Sequence, residues 1–75
     1  MTLHGCRSGR PVRVDRLAVP PGDRLRLAEL GFVRGARMRV VGRGATGGIL
    51  VALGDARIAL DDATALRIEV AACHA

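Results

Sequence analysis

The sequence predicts a mostly β domain, a small five-stranded barrel with one short α-helix. Apolar and polar residues alternate in short stretches that glycines separate, and only one stretch has the apolar spacing of a helix. A length of 75 residues and a hydrophobic content of 49% fit a single globular domain. Closing the strands into a barrel would remove exposed strand edges.

The first strand is predicted in the segment "RPVRVDRLAV". Val12 and Val14 alternate with charged residues, as in a half-buried strand. Leu17 and Val19 continue the apolar pattern with a shifted phase, which indicates a turn or a bulge. The following "PPGD" interrupts the strand because proline cannot donate a ladder hydrogen bond. Asp23 is the predicted N-cap of the helix that follows.

The helix is predicted in "RLRLAEL", where Leu27 and Leu30 form an apolar face. Gly31 then occupies the C′ position, where a left-handed backbone carries no steric cost for glycine. Phe32, the only aromatic residue, stands at C″, the position that packs back on the last helical turn. We therefore expect its ring to be a buried wedge between helix and sheet, with Gly35 turning the chain into the next strand.

The second strand alternates apolar residues with arginines in "ARMRVV". The clearest hairpin follows it, with apolar strands at residues 49–53 and 57–60 joined through Gly54 and Asp55. Asp61 or Asp62 is then expected to cap a single helical turn. The closing strand carries alternating apolar residues, namely Leu66, Ile68 and Val70.

Composition restricts the classes of partner. All twelve basic residues are Arg, and the formal net charge of +5 favours acidic partners at low salt. The basic residues are scattered and the chain has a single aromatic residue, so a nucleic-acid-binding surface is not expected. No apolar run approaches the roughly 18 residues that a membrane span needs, and the N-terminus lacks a signal-peptide pattern. We expect a cytoplasmic protein that does not insert into a membrane.

Patterns typical of catalysis are not found in the sequence. Thr46 and Thr64 have no histidine close by in sequence, and neither Glu29 nor Glu69 has a paired carboxylate. The loop "GRGATGG" is rich in glycine but lacks the Lys-Ser/Thr of a phosphate-binding loop, so a mobile hairpin tip is the expected structure. We predict no catalytic residue, no bound cofactor and no small-molecule substrate.

The histidines and cysteines lie near the two chain ends: His4, Cys6, Cys73 and His74. If the first and last strands pair, these side chains could together bind a transition metal weakly, since two thiolates and two imidazoles suit zinc. Their spacing is not that of structural zinc sites. The favoured interpretation is therefore frayed tails, residues 1–8 and 71–75, with reduced thiols around a core of residues 9–70. A disulfide between Cys6 and Cys73 is the third alternative.

The order "RLAELGF-x-x-G-x-x-x-x-V", a glycine-rich loop, a strand ending "IAL" and then "A-x-x-I-x-V" resembles the FeoA family. These are small SH3-like cytosolic components of bacterial ferrous iron uptake. The matching positions are Leu27, Glu29, Leu30, Gly31, Phe32, Gly35, Val40, Ala65, Ile68 and Val70. Asp61 and Thr64 stand where the family usually has an Arg and a Glu. The resemblance implies one SH3-like domain over residues 1–75.

By the same resemblance, the chain is expected to be a non-enzymatic accessory protein that docks on the FeoB GTPase-permease and modulates transport. Charged residues around the helix end are the candidates for partner contacts: Arg24, Arg26, Glu29 and Arg34. The alternative is a regulatory domain related to the SH3-like C-terminal domain of iron-dependent repressors, or a small barrel associated with nucleic acid. The sequence has no helix-turn-helix pattern, which argues against a self-contained repressor.

Overall fold

The computed structural model describes residues 1–73, which form five strands and two α-helices. The strands are β1 (Val12–Leu17), β2 (Arg37–Arg43), β3 (Ile49–Leu53), β4 (Ala56–Leu60) and β5 (Ile68–Ala72). Helix α1 (Pro21–Glu29) connects β1 to β2, and α2 (Asp62–Ala65) connects β4 to β5. A single 3-10 turn (Leu3–Gly5) precedes β1. The predicted order of strands and helices is confirmed, whereas the 3-10 turn was not predicted.

All strand pairings are antiparallel, and the strand order is β4-β3-β2-β1-β5. The register of β1 shifts between Val14 and Arg16, which confirms the predicted bulge. A second shift lies in β2 between Val40 and Gly42. Both bulges bend their strands, so a five-stranded sheet can curve around a small core.

The two end strands of this order are not paired with each other in residues 1–73. The outer edge of β5 is instead covered by the start of the chain. The amide of Val70 donates to the Met1 carbonyl at 2.8 Å, and Thr2 forms an isolated antiparallel bridge with Glu69. The chain start therefore satisfies backbone groups that an open edge would leave exposed.

The core lies between the curved sheet, α1 and the N-terminal turn. Every strand contributes buried residues to it, and in β1 and β2 these alternate with exposed residues. The largest fully buried side chains are Phe32, Leu3, Ile68, Val12, Val14, Val40 and Val51. No helix of the described residues has the length and apolar character needed to cross a membrane.

The end of α1 has the predicted geometry. Gly31 has a φ of +103°, and its amide donates to the Ala28 carbonyl at 3.0 Å. The amide of Phe32 donates to the Leu27 carbonyl at 2.9 Å, which completes a Schellman motif. The Phe32 side chain is 0% exposed, and Gly35 has a φ of +89°. The buried aromatic wedge predicted from the sequence is confirmed.

Two details of α1 differ from the prediction. The N-cap is Pro20 and not Asp23, because the helix begins at Pro21, whose missing N–H costs nothing at the first helical position. Asp23 lies in the first turn, where its negative charge interacts favourably with the positive end of the helix dipole. Leu30 was expected in the apolar face but is 49% exposed, since the chain turns away there at the C-cap.

The connection into β5 confirms one prediction and corrects another. Asp61 is the N-cap of α2, and its carboxylate accepts the Thr64 amide at 2.8 Å. Hydrogen bonds from the Thr64 side chain and then its amide hold the pKa of Asp61 below its usual value. Leu66 does not belong to the last strand: it is the C-cap of α2 and is 53% exposed, and β5 begins at Ile68.

The expectation that residues 1–8 form a frayed tail is wrong. Leu3 is fully buried and Cys6 is 4% exposed, so this segment is part of the core. The guanidinium of Arg43 donates to the His4 carbonyl at 2.8 Å and also to the Cys6 carbonyl. The Gly9 amide donates to the Val40 carbonyl at 2.7 Å. Contacts with β2 therefore order the segment.

The predicted tail of residues 71–75 is also corrected in the part that the structure describes. Ala71 and Ala72 belong to β5 and pair with Arg13 and Val12 of β1. The Cys73 amide donates to the Pro11 carbonyl at 3.1 Å. Strand β5 therefore extends beyond the last large apolar residue. Alanines can form the backbone hydrogen bonds of a strand although they add no large side chain to the apolar pattern. Residues 74–75 lie outside the described residues.

Candidate partner-binding groove

An open groove of about 670 Å³ lies between β1, α1 and the loop that follows α1. It is lined by Val14, Asp15, Arg16, Leu17, Arg24, Ala28, Phe32, Val33 and Arg34. Two hydrogen bonds hold the loop against the strand: the Val14 amide donates to Ala36 at 2.9 Å, and the Gly35 amide donates to Val14 at 2.8 Å. The positive φ of Gly35 permits this close approach.

The base of the groove is apolar and its rim is charged. Phe32 and Val14, which are 0% and 1% exposed, close the base, and Val33 stands at the rim with 46% of its surface exposed. Such a concave surface, apolar with a few polar groups around it, is typical of binding sites. Phe32 forms part of the base of the groove. The groove therefore depends on the same Schellman motif at the end of α1 that stabilises the fold.

Arginine dominates the charge of the groove, with three arginines against one aspartate. Arg24 is positioned across the groove, where its guanidinium donates to the Leu17 carbonyl at 3.3 Å. The Nε of Arg16 lies 3.8 Å from a carboxylate oxygen of Glu69, and both side chains are largely exposed, so this ion pair contributes little to stability. The net positive charge favours an acidic or hydrogen-bond-accepting partner.

The structure brings together two of the four residues predicted to contact a partner. Arg24 and Arg34 line the groove, whereas Arg26 and Glu29 do not. Arg26 extends along the helix, with its guanidinium 4.0 Å from the Asp23 carboxylate, and Glu29 ends the helix. The role of all four in binding stays a prediction.

Sequence reasoning missed three lining residues, Asp15, Arg16 and Val33. For Asp15 and Arg16 the phase shift after Val14 was the available signal, because a bulge re-aims the side chains that follow it. The alternation of apolar and polar residues in β1 does not by itself predict that the side chains after the bulge face α1.

Cys6 and Cys73 line a second cavity, of about 620 Å³, which confirms that the two chain ends meet on one side of the domain. Both are free thiols. The Cys6 thiol donates to the Thr2 carbonyl at 3.3 Å. Burial raises the pKa of Cys6, and the charges of Arg43 and the N-terminus oppose this only in part. A thiol that stays protonated is a poor metal ligand.

His4 does not line this cavity. Its Nε2 lies 3.2 Å from an Asp62 carboxylate oxygen, which also accepts the Gly48 amide at 2.9 Å. Within residues 1–73 no group of three or more His, Cys, Asp or Glu side chains is placed to hold a metal ion. The fourth predicted ligand, His74, lies outside the described residues. The structure therefore places His4 apart from the two thiols, and metal binding by the chain ends stays an untested alternative.

A protein-family model for the FeoA domain matches residues 1–72. The chain belongs to the FeoA family. The match includes the N-terminal segment that the sequence patterns had left out of the core, in agreement with the burial of Leu3. No curated protein matches the sequence.

Solved structures show the same fold. The iron(II) transport protein A of Clostridium thermocellum is 30% identical over 96% of this chain, with a TM-score of 0.89. A zinc complex of FeoA from Stenotrophomonas maltophilia is 33% identical over 95% of this chain and 89% of that one, with a TM-score of 0.79. The latter is described as an SH3 domain protein and a candidate activating factor of ferrous iron transport. The fold of this FeoA domain is accordingly SH3-like.

A manganese-dependent transcriptional repressor also contains this fold, with 29% identity over 97% of this chain and a TM-score of 0.86. This chain spans 41% of the repressor and 45% of the Clostridium thermocellum chain. The same module thus occurs in proteins of two different functional classes.

Proposed function

We propose that this FeoA domain is a non-enzymatic accessory module of ferrous iron uptake. On the cytosolic side, it binds the GTPase region of an FeoB-like permease and modulates transport. The groove between β1 and α1 is the contact surface. The observation that carries the proposal is the FeoA family match over residues 1–72, because similar FeoA structures are described as ferrous iron transport proteins.

The geometry of the groove supports a protein partner rather than a small molecule. The groove is open and wide, and its base is made of core side chains that cannot rearrange without cost to the fold. Val33 offers an exposed apolar contact beside Arg34, so a partner segment with an apolar residue next to an acidic one fits it. Proline-peptide recognition does not fit, because such grooves are lined by aromatic side chains and Phe32 is fully buried.

Calorimetric titration with the isolated GTPase region of an FeoB-like permease from the same genome tests the proposal. Arg34→Glu and Val33→Asp should each weaken binding about tenfold or more, since both residues lie in the groove. Arg67→Glu is the matched control, because it makes the same charge change at an exposed position outside the groove. Undiminished binding by both groove variants, or no binding by the wild-type protein, would refute the proposal.

The second candidate function is that of a regulatory domain, and the 29% identity to the manganese-dependent repressor favours it. Residues 1–73 contain no helix-turn-helix, since three strands separate α1 from α2. In this function the domain would bind within a repressor assembly and not to a permease. Copurification with a DNA-binding protein in place of the GTPase would support this alternative.

A further inference from the structure

Two arginines face each other across neighbouring strands. Arg13 of β1 and Arg37 of β2 are direct antiparallel partners. Both are exposed, because the residues beside them, Val12 and Met38, point into the core. Side chains in this relation have Cβ atoms about 4.5–5.5 Å apart, and like charges so placed are destabilising.

The arrangement continues across the sheet. Arg39 lies two residues after Arg37 on the same face of β2; Ala52 of β3 is its partner, and Arg57 of β4 is the partner of Ala52. Ala52 is only 7% exposed, as expected where arginine stems lie over a small residue. We call Arg13, Arg37, Arg39 and Arg57 the arginine face.

A shallow depression of about 190 Å³ lies within this face, lined by Arg37 and Arg39 together with Pro11, Met38, Ala52 and Gly54. It is large enough for a phosphate-sized group between two guanidinium groups, which bind phosphate through paired hydrogen bonds.

No acidic side chain within the described residues forms an ion pair with the face. The ion pairs of residues 1–73 join His4 to Asp62, Arg16 to Glu69 and Arg26 to Asp23. Asp15 and Asp55 are the acidic residues nearest in sequence, and neither forms an ion pair with the face. Four like charges gathered by the sheet thus carry a folding cost that an external anion would relieve.

We propose that the arginine face binds the phosphate groups of an anionic phospholipid bilayer, so that the domain lies on the membrane surface without spanning it. The face comprises only strand residues, and the groove between β1 and α1 is lined by a different set of side chains. Binding to lipid and binding to a protein partner can therefore be abolished separately.

Three features favour a lipid surface over other polyanions. The face has no aromatic residue on which bases could stack, because Phe32 is buried in the core. No helix residue belongs to it, so the face has no recognition helix of the kind that many DNA-binding proteins place in the major groove. Leu50 and Val41, on the same two central strands, are 38% and 39% exposed, which suits the boundary between headgroups and acyl chains.

Sedimentation with vesicles tests the proposal. The full chain should bind vesicles of phosphatidylcholine containing phosphatidylglycerol, with an affinity that falls as salt rises, and should not bind phosphatidylcholine alone. The triple variant Arg13→Gln, Arg37→Gln, Arg39→Gln should bind the anionic vesicles on the order of 100-fold more weakly. It should fold at least as well as the wild type, because it removes a like-charge pair.

The matched control is Arg16→Gln, Arg24→Gln, Arg26→Gln, which removes the same total charge from the side of the domain that carries α1. It should retain vesicle binding within a fewfold of the wild type. An equal loss in both triple variants would refute the proposal, since binding would then follow net charge alone. Tighter binding to duplex DNA or to polyglutamate than to anionic vesicles, at the same salt, would also refute it.

Discussion

The end of α1 and the N-terminal segment (residues 1–9) each place a fully buried side chain in the same core, Phe32 and Leu3, but they are held in different ways. The helix end is closed by hydrogen bonds within a few residues, such as that from the Phe32 amide to the Leu27 carbonyl. The N-terminal segment is held by residues far along the chain, with Arg43 bound to the His4 carbonyl across 39 positions.

This difference has a physical consequence. The helix end can form its bonds as soon as its own turn forms, because they close short loops. The N-terminal segment can dock only after β2 and β5 are in place, since its partners Arg43, Val40 and Val70 belong to those strands. The first region should therefore be needed for the fold to form, and the second should seal a sheet that is already assembled.

The largest effect is expected from Phe32→Ala, which should lower the free energy of unfolding by about 3–5 kcal/mol. A domain of this length has a stability of about 4–11 kcal/mol, so at least about a quarter of it would be lost, and all of it at the lower bound. Denaturant unfolding followed by circular dichroism measures the change. Val33→Ala, at the next position, is the control. Val33 is 46% exposed, so its truncation should lower the free energy of unfolding by less than about 1 kcal/mol. A Phe32→Ala variant as stable as this control would contradict the wedge.

Leu3→Ala should lower the free energy of unfolding by about 2–4 kcal/mol, because a fully buried leucine is truncated. Leu25→Ala, at a position that is 64% exposed, should change it little. Hydrogen exchange sharpens the comparison: the Val70 amide, which donates to the Met1 carbonyl, should lose protection, while the Phe32 amide should keep it. Equal loss of protection at both amides would mean that the two regions unfold as one unit.

The smallest effect is expected from Arg43→Met, which keeps the aliphatic stem but removes the donors to the His4 and Cys6 carbonyls. We expect a loss of about 1–2 kcal/mol, because one acceptor is exposed and the other is partly buried. Arg67→Met removes the same charge from another exposed position and serves as the control. If the two variants unfold at the same denaturant concentration, Arg43 does not hold the segment.

The comparison also explains which parts of the fold were predictable. The C′ glycine, the buried Phe32, the bulge after Val14 and the Gly54 hairpin all depend on residues close in sequence. Leu3 was misjudged because a short segment with one leucine has no periodicity to interpret, and its burial depends on distant strands. Leu30 was misjudged because helical spacing continues to the C-cap, while the contact with the core ends one turn earlier.

The groove was only half predictable for the same reason. Arg24 and Arg34 were proposed because they flank the helix end, but the side chains opposite them come from β1. The groove exists only once β1 and α1 are packed together. The sequence pattern does not predict which face of a bulged strand contacts the helix.

By itself, the sequence determined the strands, the helix end and the family resemblance, because alternation, a C′ glycine and a C″ aromatic act over a few residues. Only the tertiary structure decided that the first eight residues close the core, that β1 and α1 enclose a groove, and that Arg13 and Arg37 are partners. The register between β1 and β2, which α1 connects, depends on how both strands pack on the core. The alternation within each strand therefore does not predict this register.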